Sequence, residues 1–120
     1  MSANSYSPYG NTFRRTVTAA SLAVPAIVSN PAPTAIAPFT QELDYRFTNI
    51  GTQVVFIAWA FPGASAPIAA IPADGANGQV MLLEANTSRT FSFPYGTQFA
   101  VIAAATGSDV YVSVGDGVVL

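Results

Sequence analysis

The chain has no cysteine, no histidine and no lysine among its 120 residues. Without cysteine there is no disulfide framework, thiolate nucleophile or cysteine zinc site. Without histidine there is no imidazole base and no imidazole metal ligand. Without lysine there is no Schiff base and no phosphate-gripping P-loop. Charge is scarce as well: 8% of residues are charged, against roughly 25% in an ordinary soluble domain. Four arginines against six acids leave a net charge of −2. A nucleic-acid binder needs a basic stripe to neutralise phosphates, so that class is not expected. The composition points away from an enzyme, and no cofactor or metal is expected.

Two long stretches, Thr16 to Gln41 and Phe47 to Ala73, contain no charge at all. Neither reads as a membrane-spanning helix, which needs about 20 predominantly apolar residues in a row. Pro25, Pro31, Pro33 and Pro38 interrupt the first, and Gly51, Pro62, Gly63, Pro67 and Pro72 interrupt the second. A helix-interior proline costs about 3 kcal/mol. Arg14-Arg15 before the mild apolar run Val17 to Val28 has the outline of a secretory leader. Its Thr, Ser and Pro content and its long polar prefix argue against one. No membrane association is expected.

The chain divides into residues 1–15, an N-terminal arm, and residues 16–120, one domain. The arm is polar, broken by Pro8 and Gly10, and has neither helical nor strand periodicity. It carries Tyr6, Tyr9 and Phe13, which have no evident core to join, followed by Arg14 and Arg15. These five are candidate partner-contact residues, the arginines meeting carboxylates and the aromatics filling shallow pockets.

From Thr16 onward the pattern is all-β. Leu43 to Thr48 alternates strictly, with Leu43, Tyr45 and Phe47 inward and Asp44, Arg46 and Thr48 outward. Gln53 to Phe61 is nearly continuous apolar sequence, expected to be buried on both faces. Pro62 to Gly78 is a long loop with Pro-Gly and Asp-Gly-Ala-Asn-Gly punctuation. Ile68 and Ile71 suggest a short strand inside it, and Ala64 to Ala73 could form one helical turn. Further strands are expected over Gln79–Ala85, Arg89–Phe93, Gln98–Ala104 and Asp109–Val114. Gly115-Asp116-Gly117 reads as the turn that ends the last of them. About eight short strands separated by turn signals define an antiparallel β-sandwich or jelly roll with an extended N-terminal arm. The expected core is Tyr45, Phe47, Val55, Ile57, Leu82, Phe91, Phe99, Ile102 and Val112.

The six carboxylates form no catalytic pair; Asp44 beside Arg46 reads as a solvated strand face. Asp74 to Gly78 lacks the alternating ligands and closing glutamate of a calcium loop, and reads as a turn. Asn86-Thr87-Ser88 fits the glycosylation sequon, which matters only in a secreted eukaryotic chain. Trp59 and Phe61, at the end of an apolar strand, are candidates for core and rim, and both are candidates for partner contact. With only ten charged residues to cover a 120-residue surface, much of that surface must be neutral or apolar. Such surface on a soluble protein marks an interaction site.

The stretch LDYRFTNIGTQVVFIAWAF, then QVMLLEANTSRTFSFPYGTQFAVIAA and DVYVSVGDGVVL, resembles small β-sandwich proteins of tailed bacteriophages. The resemblance rests on Arg46-Phe47-Thr48-Asn49, Val80-Met81-Leu82-Leu83, Pro94-Tyr95-Gly96-Thr97 and Val110 to Gly117, and spans about residues 43–117. It implies a capsid decoration, or cement, protein of the jelly-roll type on the exterior of the virion. Its implied partner is the major capsid protein, whose neighbouring subunits it would clamp, and no catalytic residue carries over. The alternatives are another virion component (tail, fibre or head-completion protein) or a secreted carbohydrate-binding module using Trp59, Tyr95 and Tyr111. A homo-oligomer, dimer or trimer, is expected from neutral edges with no lysine to guard them.

Overall fold

Strict alternation in Leu43–Thr48 builds what it predicts: Leu43, Tyr45 and Phe47 are buried and Arg46 is exposed. They lie on one of eight strands in a computed structural model that describes residues 4–24, 42–94 and 96–119. Among the described residues every regular element is a strand. These are β1 (Asn4–Val17), β2 (Leu22–Val24), β3 (Glu42–Gly51), β4 (Val55–Ala60), β5 (Met81–Leu83), β6 (Ser88–Pro94), β7 (Gln98–Ala103) and β8 (Ser108–Val119).

They form two four-stranded sheets, β1-β8-β3-β6 and β2-β7-β4-β5, with every pairing antiparallel. First strand pairs with last, second with seventh, third with sixth and fourth with fifth. That ladder is one long hairpin folded over on itself. Rolling it up adds the β3–β8 and β4–β7 pairings and separates the two sheets. This is the jelly-roll arrangement, and it gives the all-β sandwich that the turn spacing predicts.

The core lies between the inner faces. Val110, Val112 and Val114 of β8, with Leu43, Tyr45 and Phe47 of β3, meet Val55 and Ile57 of β4, Leu83 of β5 and Phe99, Val101 and Ala103 of β7. Phe99 is fully buried and takes edge contacts from Tyr45, Phe47 and Phe93, with ring centroids 5.2, 4.9 and 5.3 Å away. Such geometry matches the positive edge of one ring to the negative face of the next.

Three members of the expected core are not fully buried in it. Leu82 is 48% exposed, because Met81 and Leu83 take the inward positions of β5. Two adjacent leucines carry no parity, so the pattern alone does not say which faces in. Ile102 is half-buried on the outer side of β7, and Phe91 is half-buried on the edge strand β6.

The strand expected from Thr16 begins at Asn4. Residues 4–15, which show no strand periodicity, pair along β8 at the sheet edge. The register shifts between Pro8 and Thr12, where Tyr9, Gly10 and Asn11 lie opposite Val114 alone. Three residues opposite one add two to the strand, an even number, so the alternation keeps its phase across the bulge. What hides the strand is polar sequence, with Ser5 and Ser7 at positions in phase with Phe13 and Val17. Pro8 has no N–H to give, and an edge strand is where a sheet tolerates it. Gly115-Asp116-Gly117 is not a terminating turn either, because β8 continues through it to Val119, opposite Asn4 to Pro8. Residues Pro62–Val80 contain neither the short strand suggested by Ile68 and Ile71 nor a helix.

At one end of the sandwich the β3–β4 and β7–β8 turns pack closely. Gly51 has φ +150, and a Cβ there would collide with the Gly107 carbonyl, so glycine is required by both conformation and space. Ser108 Oγ donates to the Gln53 carbonyl (3.0 Å) and accepts from the Gln53 N–H (2.9 Å), tying the two turns together.

Candidate functional site

Charge is partitioned between the sheets. Eight of the ten charged residues (Arg14, Arg15, Glu42, Asp44, Arg46, Arg89, Asp109 and Asp116) lie in strands of the β1-β8-β3-β6 sheet. The four strands of the β2-β7-β4-β5 sheet contain none; the remaining two, Asp74 and Glu84, lie in loops. A solvated sheet face normally carries charge on its outward positions. The second sheet does not.

Its outer face is apolar instead. Phe56 of β4 lies in register with Leu82 of β5 on one side and Ile102 of β7 on the other. Farther along, Ala58 and Ala100 are buried beneath Ala69 of the β4–β5 loop, with Val80 and Ile102 at the margin. Small side chains let the loop lie close against the sheet, and the Ala69 N–H donates to Ser21 Oγ at 2.9 Å. The loop covers the outer face of β4 at Ala58, while Phe56 and Ala60 are half-buried and Val54 and Phe61 are exposed, so the burial on both faces expected of Gln53–Phe61 holds only in part. The loop leaves an open cleft of about 220 Å³, bounded by Ala58, Trp59, Pro67, Ile68, Gly78 and Val80 among others.

Six large hydrophobic residues are exposed among the described residues: Ile50, Val54, Phe61, Ile68, Ile71 and Leu82. Only Ile50 belongs to the charged sheet. Ile68 is 81% exposed and Phe61 56%, far more than a chain with spare polar residues would leave uncovered.

The sequence-derived candidates fall in different places. Phe61, just past the end of β4, is exposed. Trp59 is half-buried and packs against Phe93 of the core, ring centroids 6.0 Å apart. Phe13 packs on the margin of the core, with the Arg15 guanidinium 5.3 Å from its ring centre. Arg15 donates from Nε (3.1 Å) and Nη2 (2.7 Å) to the Ala23 carbonyl, bridging the two sheets at their open edge. Arg14 pairs with Asp109 of the same chain at 3.0 Å and lies 5.8 Å from the centre of the Tyr111 ring. Tyr6 and Tyr9 are on β1, but their side chains lie outside the described residues, as does Tyr95. Trp59 faces the core from one sheet and Tyr111 faces outward from the other, so they form no common aromatic platform. The charge-free sheet was not anticipated, although the signal is in the sequence. The segments that become β2, β4, β5 and β7 have no charged residue, and those that become β1, β3, β6 and β8 each have at least one.

The ionic contacts on the charged sheet are internal. Asp109 accepts from the Thr16 hydroxyl (2.8 Å) and from Arg14, which together hold its carboxyl below the usual carboxylate range. A depressed carboxyl contributes stability that is complete above its unfolded-state value and is lost as pH falls through the folded one. Acidification below the ordinary carboxylate range is therefore expected to loosen β1 from β8. Amide exchange at Arg14–Thr16 should quicken while β4 and β7 stay protected, and Asp109→Asn should remove the pH dependence. Equal acceleration in every strand would contradict this. Among the described residues no three acidic side chains gather to hold a metal ion.

No family model matches the sequence, and no curated protein matches it. Among solved structures the coat protein of Tobacco streak virus is similar, with a TM-score of 0.34 and 11% identity over 92% of this chain and 90% of that one.

Proposed function

We propose that this chain is a structural virion protein, a capsid decoration protein that docks on the outside of a phage head and braces neighbouring major capsid subunits. The observation that carries the reading is the partition of charge: one sheet carries eight of the ten charged residues, and the other is uncharged and apolar outside, with Ile68 and Leu82 exposed on that side. A face of that kind is stable in water only when covered. The sequence resemblance to phage head proteins supplies the partner, the major capsid protein. On the shell the copies associate as dimers or trimers, since closed symmetric assemblies are the common use of such surfaces.

Ile68→Asp and Leu82→Asp test the reading. Both sites are exposed, so folding stability should change by no more than about 0.5 kcal/mol. A carboxylate desolvated within the docked face should weaken binding to emptied heads by about tenfold or more. Co-sedimentation with heads measures this, and a salt series should have little effect on the unsubstituted protein, because few ion pairs are there to be screened. Unchanged binding by both variants would remove the uncharged sheet from the interface. Binding lost steeply with salt would move the contact to the arginine-bearing sheet.

A further inference from the structure

The Asp74–Gly78 loop, which reads in the sequence as a turn and nothing more, contains the one Asn-Gly pair in the chain, Asn77-Gly78. Both residues are exposed and belong to no strand. The preceding turn closes through the Ala76 N–H to the Ala73 carbonyl at 2.9 Å. Neither the Gly78 N–H nor the Asn77 amide makes a hydrogen bond to another described residue. Gly78 also bounds the cleft on the uncharged sheet.

We propose that Asn77-Gly78 is a self-modification site, at which the asparagine converts spontaneously to aspartate and isoaspartate and so places a negative charge on the margin of the uncharged face. The Gly78 backbone nitrogen attacks Asn77 Cγ. A bond forms between that nitrogen and Cγ, the Cγ–Nδ2 bond breaks, and ammonia leaves with the proton the nitrogen gives up. Solvent water then opens the five-membered imide. Attack at Cγ restores the normal peptide link and leaves an aspartate; attack at the backbone carbonyl leaves an isoaspartate, with one extra methylene in the main chain. No oxidant, reductant or cofactor is consumed. The formal net charge changes from −2 to −3, counted from the −2 of the unmodified chain.

The structure separates this asparagine from the others it describes. Ring closure needs an unencumbered nitrogen and a backbone free to bring it to Cγ. A following glycine, with no Cβ, allows that where a β-branched residue resists it. Asn49 is fully buried within β3 and precedes Ile50. Asn86 is in the left-handed conformation, φ 55, accepts from the Gly51 N–H at 3.4 Å and precedes Thr87. Asn4 and Asn11 lie in the backbone of β1 and precede Ser5 and Thr12.

The test is storage of the full-length protein in warm, mildly alkaline buffer, read by anion exchange, peptide mapping and enzymatic labelling of isoaspartate. A more acidic form should accumulate and map to residue 77, with Asn49 and Asn86 still amides. Asn77→Ser should abolish the acidic form while leaving the unfolding midpoint in place. The charge readout also separates this event from isomerisation at Asp74-Gly75, which leaves net charge unchanged. Gly78→Ala is the poorer control, because a Cβ there would fall 2.7 Å from Pro72 Cγ and shift the loop. No acidic form, or one that persists in Asn77→Ser, overturns the proposal. Its consequence for docking rests on the decoration reading and has its own readout. Aged protein should bind emptied heads more weakly than fresh protein, and Asn77→Ser should bind equally at both ages. Unchanged binding by protein whose modification has been mapped would exclude the loop from the interface without touching the chemistry.

Discussion

Phe99→Ala is expected to cost about 3–5 kcal/mol, the range for deleting a fully enclosed aromatic side chain. Domains of this size have about 5–15 kcal/mol in all, so the variant should be largely unfolded or have a sharply lowered urea midpoint. Three aromatic neighbours give Phe99 edge contacts, and all three come from the opposite sheet: Tyr45 and Phe47 from β3 and Phe93 from β6, against Phe99 on β7. Removing the ring leaves a void lined by groups held on strands, which cannot collapse far. Phe91→Ala is the comparison. Its ring is half-buried on the edge strand β6 and meets Phe47 at 5.8 Å, so its loss should be smaller, about 1–2 kcal/mol. Chemical denaturation of the pair decides. Equal losses, or a Phe99→Ala loss below about 1 kcal/mol, would mean that the ring cluster is not the centre of the core.

Asn49→Asp should be comparably damaging at neutral pH and should recover in acid. Asn49 is fully buried, and its Nδ2 lies 2.8 Å from the Gln53 carbonyl, 3.1 Å from that of Leu83 and 3.2 Å from that of Glu84. Its backbone N–H reaches the Thr87 carbonyl at 2.8 Å. One residue thus locks the β3–β4 turn to the β5–β6 turn. Three acceptors fix the orientation of the amide, since turning it over would set oxygen against oxygen. The amide oxygen, Oδ1, is buried without a partner among the described residues. A carboxylate in this place keeps the shape and reverses the chemistry, because ionised oxygen then faces three carbonyls away from water. The expected loss is about 3–5 kcal/mol, as for other unpaired buried charges.

Desolvation raises the folded-state pKa of the introduced carboxyl above its unfolded value. The penalty is therefore full above the folded value and relieved as pH falls through it. Urea midpoints across pH should show the variant gaining relative stability in acid, opposite in sign to the contribution of Asp109. Asn49→Leu should lose stability without that slope, about 1–3 kcal/mol for each carbonyl left bare. A pH-independent Asn49→Asp would show that water reaches the site.

The strands that alternate cleanly were legible because one face meets core and the other water: Leu43–Thr48 could hardly be read otherwise. Gln53–Phe61 was legible as a strand from its continuous apolar sequence, although the loop covers its outer face only at Ala58. Leu82-Leu83 was not, because parity in a three-residue strand comes from its neighbour and not from itself. Of the first strand only its end, from Thr16, was legible, because residues 4–15 place polar Ser5 and Ser7 in phase with Phe13 and Val17 and are held by pairing with β8. Of the candidate contact residues, Phe61 is exposed, while Trp59, Arg14 and Arg15 find partners within the chain. Judging single residues hid the feature on which the proposed docking rests, which is distributed. It is the lack of charge in four segments that become neighbours only when the chain rolls up.

Strand β8 sits between β1 and β3, so the sheet that carries nearly all the charge has its inner seam closed by the latest of the eight strands to leave the ribosome. Until then β1 has no partner, and β3 has only β6 beside it. Synthesis therefore cannot finish this sheet from its amino end onward. The emerging chain must hold roughly its first hundred residues in an incomplete state, as expected where the pairings are far apart in sequence. A stalled chain ending before Ser108 would present two open seams at once, each lined with uncommitted backbone donors and acceptors. Wherever many copies are made together, the interval between β7 and β8 is when these chains are most exposed to one another, and when a holding chaperone would have most to protect.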